Sequence, residues 1–371
     1  MQPIYLDHNA TAPLRPEARE AMLAALDRVG NPSSVHAFGR EARRTVEDAR
    51  AEIAALVGVT PAQIVFTSGA TEANNTVVAL TTRPRVLVSA IEHDSVLAAR
   101  PDAERIPVTP EGVIDLDALD AMLARDPRPA LVAVMLANNE IGTIQPVAEA
   151  SEIARRHGAL LHCDAVQAAG RIRVDWAGLG ADFISLSSHK LGGPQGVGAL
   201  IVREGVPVPP LLRGGGQEKR RRAGTENVAG IAGFGAAARA AKAGIDRYGH
   251  VGRIRDELEA RILAAYPGTP IFGRGAPRIA NTSCIAMPGV PAETQLMAFD
   301  LAGIAVSSGS ACSSGKVAVS HVLTALGAGR EAAGSAIRVS LGWDAEEAEI
   351  ERFVEVWIGL RGKAGRRRDV A

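Results

Sequence analysis

Cysteine is scarce in this sequence: there are three in 371 residues, at positions 163, 284 and 312. They make neither a disulfide framework nor a paired-cysteine metal site, so a reducing cytoplasm is the expected setting. Long hydrophobic runs are missing too. None reaches the roughly 18 residues that a membrane-spanning helix needs. The start, MQPIYLDHNATAPL, meets Asp7 and His8 before any long apolar region, which argues against a signal peptide. An excess of either charge is also lacking, since Lys+Arg and Asp+Glu each number 41. Neither nucleic acid nor an anionic membrane is therefore an expected partner. The basic runs Lys219–Arg222 and Arg366–Arg368 are short and read as a solvated loop and a frayed tail. What is left, 47% hydrophobic and 22% charged, is a globular composition with length for a sizeable core and more than one domain.

From about Ala18 to Gly244 the pattern alternates helix and strand. Ala42, Val46, Ala49, Ile53 and Leu56 recur at three- and four-residue spacing and predict an amphipathic helix over Glu41–Val57. Short apolar runs follow at Ile64–Phe66, Val86–Val88, Leu131–Leu136, Ala159–His162, Phe183–Leu186 and Ala199–Val202. Continuous apolar strands separated by helices predict a mostly parallel sheet covered on both faces. Ligands of such sheets bind outside the carboxyl ends of the strands. Polar clusters fall there: Thr67–Thr71, Glu92-His93, Asn138–Glu140, Asp164 and Ser187–Lys190. Past Gly244 the texture changes to a long helix near Asp246–Ala265. Short strands at Asn281–Met287, Ile304–Ser307 and Ile337–Leu341 follow, then a last helix near Glu346–Leu360 with Ile350, Phe353, Val354 and Trp357 on one face. The expected division is a large domain over 16–244 and a smaller α/β domain over 1–15 plus 245–371.

Several of these clusters have two readings. Lys190, closing a strand before Leu-Gly-Gly-Pro, is either a solvated lysine or a Schiff-base lysine, which needs a carbonyl cofactor. Pyridoxal 5′-phosphate (PLP) would need a carboxylate at its pyridinium nitrogen; Asp164 ends the neighbouring strand, although it could equally be a helix N-cap. Gln167 lies three residues on, in reach of a cofactor phenolic oxygen. Ser68-Gly-Ala-Thr71 before a helix Glu72–Leu80 offers backbone donors for a phosphate, or is a plain cap. His93 is either a ring-stacking or a structural histidine. His162, Cys163 and Asp164 are consecutive on a strand, so alternate side chains diverge and no metal cluster is expected. The stretch VSSGSACSSG presents Cys312 among small polar residues with no apolar anchor after Val306, unlike a packing cysteine. Cys163 and Cys284, inside strand-like runs, are assigned to packing.

Jointly these pieces resemble the cysteine desulfurases of the NifS/IscS type, in the PLP-dependent class V aminotransferase family. The matching stretches span nearly the whole chain: YLDHNAT, TSGATEANN, IEH, ANNEIGTIQP, HCDAVQ, SSHKLGGPQGVGAL, GGGQEKRRRAGTEN, VSSGSACSS and IRVSLG. The loop pattern SSGSAC is what separates this group from selenocysteine-lyase-like relatives and from aminotransferases. The resemblance implies the aspartate-aminotransferase-like fold type I, with a large seven-stranded-type sheet domain. It implies that Lys190 holds PLP and later moves protons, that Asp164 pairs with the pyridinium nitrogen, and that Gln167 meets the phenolic oxygen. His93 would stack on the ring and assist proton transfer. Ala70, Thr71, Ser187 and His189 would bind the phosphate, with Thr225 reaching it from the second subunit of a homodimer. Asn139 and Arg338 would engage L-cysteine, Arg338 gripping the α-carboxylate, and Cys312 would be the nucleophile that leaves with the sulfur as a persulfide.

His8 and Ala12 stand where many members of that group carry Asn and Thr. The chain closes with GKAGRRRDVA soon after its last helix, without the longer tail by which housekeeping members dock a scaffold partner. A sulfur-acceptor protein such as an iron–sulfur scaffold is the expected partner.

Overall fold

The computed structural model of the chain describes residues 3–308 and 319–368, the last five through their backbone alone. Its strands are β1 (Ile4–Tyr5), β2 (Ile64–Thr67), β3 (Arg85–Ser89), β4 (Glu104–Ile106), β5 (Ala130–Ala133), β6 (Leu160–Asp164), β7 (Phe183–Ser187), β8 (Gly198–Val202), β9 (Ile271–Phe272), β10 (Thr282–Ala286), β11 (Ile304–Ala305) and β12 (Ala336–Ser340). Up to β6 the helices are α1 (Pro16–Leu26), α2 (Ala37–Val57), α3 (Ala70–Val78), α4 (Asp94–Leu97), α5 (Leu116–Arg125) and α6 (Val147–Arg156). After it come α7 (Trp176–Leu179), α8 (Val228–Ala243), α9 (Tyr248–Ala265), α10 (Ala292–Leu301), α11 (His321–Ala325), α12 (Arg330–Gly334) and α13 (Glu347–Arg368).

Seven strands make one sheet in the order β2-β8-β7-β6-β5-β3-β4. The five from β7 to β4 run parallel, and β8 lies antiparallel to both of its neighbours. Every residue of β5, β7 and β8 is buried, because helices cover both faces; that is why these strands read as unbroken apolar runs. Two differences from the sequence reading have simple causes. β5 stops at Ala133, beyond which single bonds, Val134 N–H to His162 and Leu136 N–H to Asp164, continue the ladder. The edge strand β4 carries Glu104 and Arg105, so it has no apolar run to announce it.

Helix α2 buries the predicted stripe of Ala42, Val46, Ala49, Ile53 and Leu56. It begins earlier than expected, at Ala37, because His36 accepts the Gly39 N–H and caps it. It packs on α8, where Gly235 has no side chain to spare: a Cβ there would lie 2.6 Å from the Ala49 Cα.

The remaining strands form a three-stranded antiparallel sheet, β12-β10-β9, and the parallel pair β1-β11. On them α9 and α13 bury Leu258, Ile262, Phe353 and Trp357, with Phe299 stacked on Phe353 at 4.8 Å. Thus residues 4–5 pair with residues 304–305, distant in the chain. From there the chain crosses to the large sheet, where Ala12 N–H bonds the His189 carbonyl and Arg15 N–H that of Gly192.

Candidate active site

The strand ends expected to carry polar chemistry meet in one place. Strand β2 ends at Thr67, and Ser68-Gly69 then turn into α3 with Ala70 as its first residue. Gly198 opens β8 between Thr67 and Ser187. A Cβ on Gly198 would come within 2.7 Å of the Gly69 Cα and of the Leu186 carbonyl oxygen, so only glycine lets the α3 turn lie across the strand ends. Ala70 is half-buried and Thr71 exposed at the start of α3, while Ser187 is buried at the end of β7. The Ser68 N–H and hydroxyl both bond the Glu72 carboxylate, which also pairs with Arg222 at 3.1 Å. Ser68 is thus engaged locally, and Arg222 is not the solvated residue its basic run suggested.

Asp164 is buried at the end of β6. Its Oδ1 accepts the Val166 N–H at 3.0 Å and its Oδ2 accepts the Asn74 side-chain amide at 2.8 Å. No α-helix follows directly, so Asp164 is not a helix cap. The same Asn74 nitrogen bonds Ser95 Oγ at 2.8 Å, and Ser95 bonds His93 Nδ1 through both its hydroxyl and its N–H. These bonds make Nδ1 the acceptor and place the neutral ring's proton on Nε2. A continuous chain Asp164–Asn74–Ser95–His93 therefore links the buried carboxylate to the exposed histidine that caps α4.

Lys190 ends a single helical turn after β7. Its Nζ bonds the carbonyls of Asn9 and Ala10. Burial, reinforced by Arg338 and Arg171, pushes the Lys190 ammonium down to about 7 from 10.5, against the pull of Asp7 and Asp164. An amine so placed is in part unprotonated, and so able to act as a nucleophile, near neutral pH. His189 bonds the Thr11 hydroxyl at 3.1 Å; burial, then Lys190 and Arg171, push it down to about 4, so it is neutral. Gln167 donates to the Asn9 carbonyl at 3.0 Å and accepts from Arg171.

Arg338 enters from β12. Its Nη1 donates to the Asn139 carbonyl at 3.0 Å, its Nη2 pairs with Asp7 at 2.6 Å, and its Nε is buried with no partner among the described residues. Asn139 is half-buried, and its carbonyl also accepts from Asn9. Thr225 is exposed, on the segment between β8 and α8, and no hydrogen bond joins it to this cluster among the described residues. That segment holds Glu218, Lys219 and Arg220 at positive φ. A buried Arg50–Glu218 pair at 2.7 Å holds it, with Glu218 also accepting the Phe66 N–H at the edge of β2. Cys312 lies outside the described residues. Cys163 and Cys284 are buried, and burial pushes both thiols up, which leaves them unreactive.

Sequence reasoning missed Asn9, the residue most central to this arrangement. Its side chain bonds the Asn139 carbonyl, Thr282 Oγ1 and Asn281, while its own carbonyl serves Lys190 and Gln167. Asn74 was passed over as well. Both stand inside quoted stretches, YLDHNAT and TSGATEANN, but an asparagine has no chemistry that singles it out before its partners are known.

The donor set fits PLP. It offers backbone N–H groups at the start of a nine-residue helix beside Thr71, Ser187 and His189, a buried carboxylate, and a lysine amine held near neutrality. The family model for aminotransferase class-V matches residues 4–353. The chain belongs to the class V aminotransferase family. Within it, the chain is 45% identical to a cysteine desulfurase of Cereibacter sphaeroides, over 96% of this chain and 95% of that one. It is 43% identical to a cysteine desulfurase of Klebsiella pneumoniae, over 95% and 91% of the two chains. The crystal structure of a NifS-like protein from Rickettsia africae superposes with a TM-score of 0.90 at 39% identity, covering 96% of this chain and 98% of the other. The α/β architecture and the seven-stranded sheet are those of fold type I, as the sequence led us to expect.

Proposed function

We propose that this class V enzyme is a PLP-dependent cysteine desulfurase, converting L-cysteine to L-alanine and leaving the sulfur as a persulfide on Cys312. The observation that carries the reading is the meeting of Lys190, Asp164 and Arg338 at the sheet's strand ends, in a chain 45% identical to a cysteine desulfurase along nearly its whole length. When bound, PLP supplies an electron sink that acidifies the substrate's α-carbon and lets its sulfur be attacked.

The chain's own residues do the rest. Lys190 is the amine that would hold the cofactor's carbonyl and then carry a proton to and from the substrate. Asp164, kept in place by Asn74 and Val166, would face the pyridinium nitrogen, and Gln167 the phenolic oxygen. Ala70, Thr71, Ser187 and His189 would take the phosphate. His93, with its proton on Nε2, would stack on the ring. Arg338 and Asn139 would orient the amino acid. The Cys312 thiolate would attack the substrate sulfur; the new S–S bond forms as the carbon–sulfur bond breaks, and its electron pair ends as a C–H bond of alanine.

The same reading makes the enzyme a cytoplasmic homodimer in which Thr225 completes the partner's phosphate site. The exposure of Thr225 and the rigid bracing of its segment by Arg50–Glu218 support that. An acceptor such as an iron–sulfur scaffold would take the persulfide sulfur. The division into 16–244 and 1–15 plus 245–371 belongs here too, supported by the separation of the sheets. The test is to measure alanine and sulfide from L-cysteine, with and without a reductant. Sulfide that depends on reductant, matched by alanine, is expected. Turnover that requires a 2-oxo acid would make the enzyme an aminotransferase instead.

A further inference from the structure

Arg338 is held firmly but incompletely. It sits in β12 with its side chain only 5% exposed, while Asp7, its ion-pair partner, is 21% exposed. Backbone bonds with Ser307 on one side and the β12–β10 ladder on the other fix its main chain. The guanidinium has five N–H donors. Asp7 Oδ1 and the Asn139 carbonyl take up one nitrogen each, and the buried Nε has no acceptor among the described residues. A buried charged donor without an acceptor is costly. A group able to satisfy it must be an acceptor brought in from outside, and beside a guanidinium a carboxylate is the fitting one.

Asp7 is already a carboxylate at that guanidinium. The chain delivers it there by the parallel bridge Asp7–Ser340, two residues beyond Arg338 on the same face of β12. Its negative charge also acts on Lys190. Two carboxylates sharing one arginine repel each other.

Resting on the reading of Arg338 as the α-carboxylate site, we infer that Asp7 is a built-in competitor for that site. It neutralises Arg338 when no amino acid is bound, and the incoming carboxylate must displace or share it. Asp7 therefore sets how weakly the enzyme holds L-cysteine and how readily L-alanine leaves. Of the two partners Asp7 is the one able to yield, being the more exposed and partly solvated.

The experiment is a titration of PLP-loaded enzyme, followed by cofactor absorbance, with L-alanine and with L-alaninamide, which lacks the carboxylate. Asp7→Asn should tighten L-alanine binding by about fivefold or more and leave L-alaninamide unchanged. Asp7→Glu, which keeps the charge, should stay close to wild type. In turnover, the KM for L-cysteine should fall in Asp7→Asn while inhibition by L-alanine strengthens. If Asp7→Asn does not fold, Asp7→Ser is read in the same way. Unchanged or weaker L-alanine binding in the neutral variants would overturn the inference and make Asp7 an orienting residue. Arg338→Ala separates this from the underlying reading: it should erase the preference for L-alanine over L-alaninamide. A preference that survives Arg338→Ala removes the carboxylate site itself, and the inference with it.

Discussion

At the scale of single residues, two titratable groups at the strand ends, the half-buried Lys190 and the buried Glu92, carry opposite pH signatures. The Lys190 amine is pushed down to about 7 from 10.5, chiefly by burial. Between those values the unfolded chain binds the extra proton, so stability of the cofactor-free protein rises with pH from about 7 to 10.5. Glu92 is pushed up to about 8 from 4.5, again chiefly by burial, with its Oε1 on the Met135 N–H. There the folded chain holds the extra proton, and stability falls as pH climbs from about 4.5 to 8. Melting temperatures of the cofactor-free protein across pH should show both limbs. Lys190→Met should flatten the alkaline one and Glu92→Gln the acid one; profiles that keep their shape would show that neither group titrates differently on folding. Cys312 makes the sharpest chemical prediction. Cys312→Ser should keep PLP and still show the spectral change on binding L-cysteine, yet release no sulfide, because a serine hydroxyl ionises far less readily than a thiol. Mass spectrometry of the wild type after incubation with L-cysteine should find added sulfur on the peptide bearing Cys312. Sulfur on a Cys163 or Cys284 peptide would contradict the assignment.

At the scale of elements, the site depends on how closely the α3 turn can lie across β8. Adding one methyl group at Gly198 puts a carbon 2.7 Å from the backbone of Gly69. Neither side can yield cheaply, since both contacts are main chain. Gly198→Ala is therefore expected to cost roughly 1–3 kcal/mol of stability and to weaken PLP binding by shifting the start of α3. Denaturant unfolding and a cofactor titration would measure the two effects. Loss of stability with full PLP affinity would mean that the α3 turn does not hold the phosphate. The elements were legible to different degrees. Helix α2 and the buried face of α13, with Ile350, Phe353, Val354 and Trp357, follow from apolar periodicity because each packs one stripe on a core. The end of α13 does not: its apolar stripe stops at Leu360, but the helix continues to Arg368, past Gly362 and Gly365, with Arg361 reaching back to the Pro288 carbonyl.

At the scale of the whole molecule, the N-terminal segment ties the two sheet systems together. Residues 4–5 pair with β11, Asp7 meets Arg338, and Asn9 and Ala10 hold Lys190. Thr225, in contrast, is exposed and makes no hydrogen bond to this cluster among the described residues. If it serves a partner's phosphate site, mixing a Lys190→Ala subunit with a Thr225→Ala subunit should restore one intact site per heterodimer. Activity in the mixture above that of either variant alone is the expected result. A mixture no better than its parents, or full activity in a dilute monomer, would confine each site to one chain.

What the sequence by itself determined is local or repetitive. Unbroken apolar runs announced strands buried on both faces, and the polar residues that end them marked Lys190, Asp164, Ser187 and His93. The motif order pointed to the family before any fold was in view. What only the tertiary structure decided is who meets whom. Asp7 and Arg338 stand 331 positions apart, Asn9 and Thr282 stand 273 apart, and Asn74 reaches Asp164 across 90 residues. Such pairs leave no periodic trace, because a hydrogen bond or ion pair depends on side-chain placement within a few tenths of an ångström, whereas apolar burial needs only the right face. That is why the carboxylate at Arg338 and the asparagine at the centre of the site emerged only once the chain was folded.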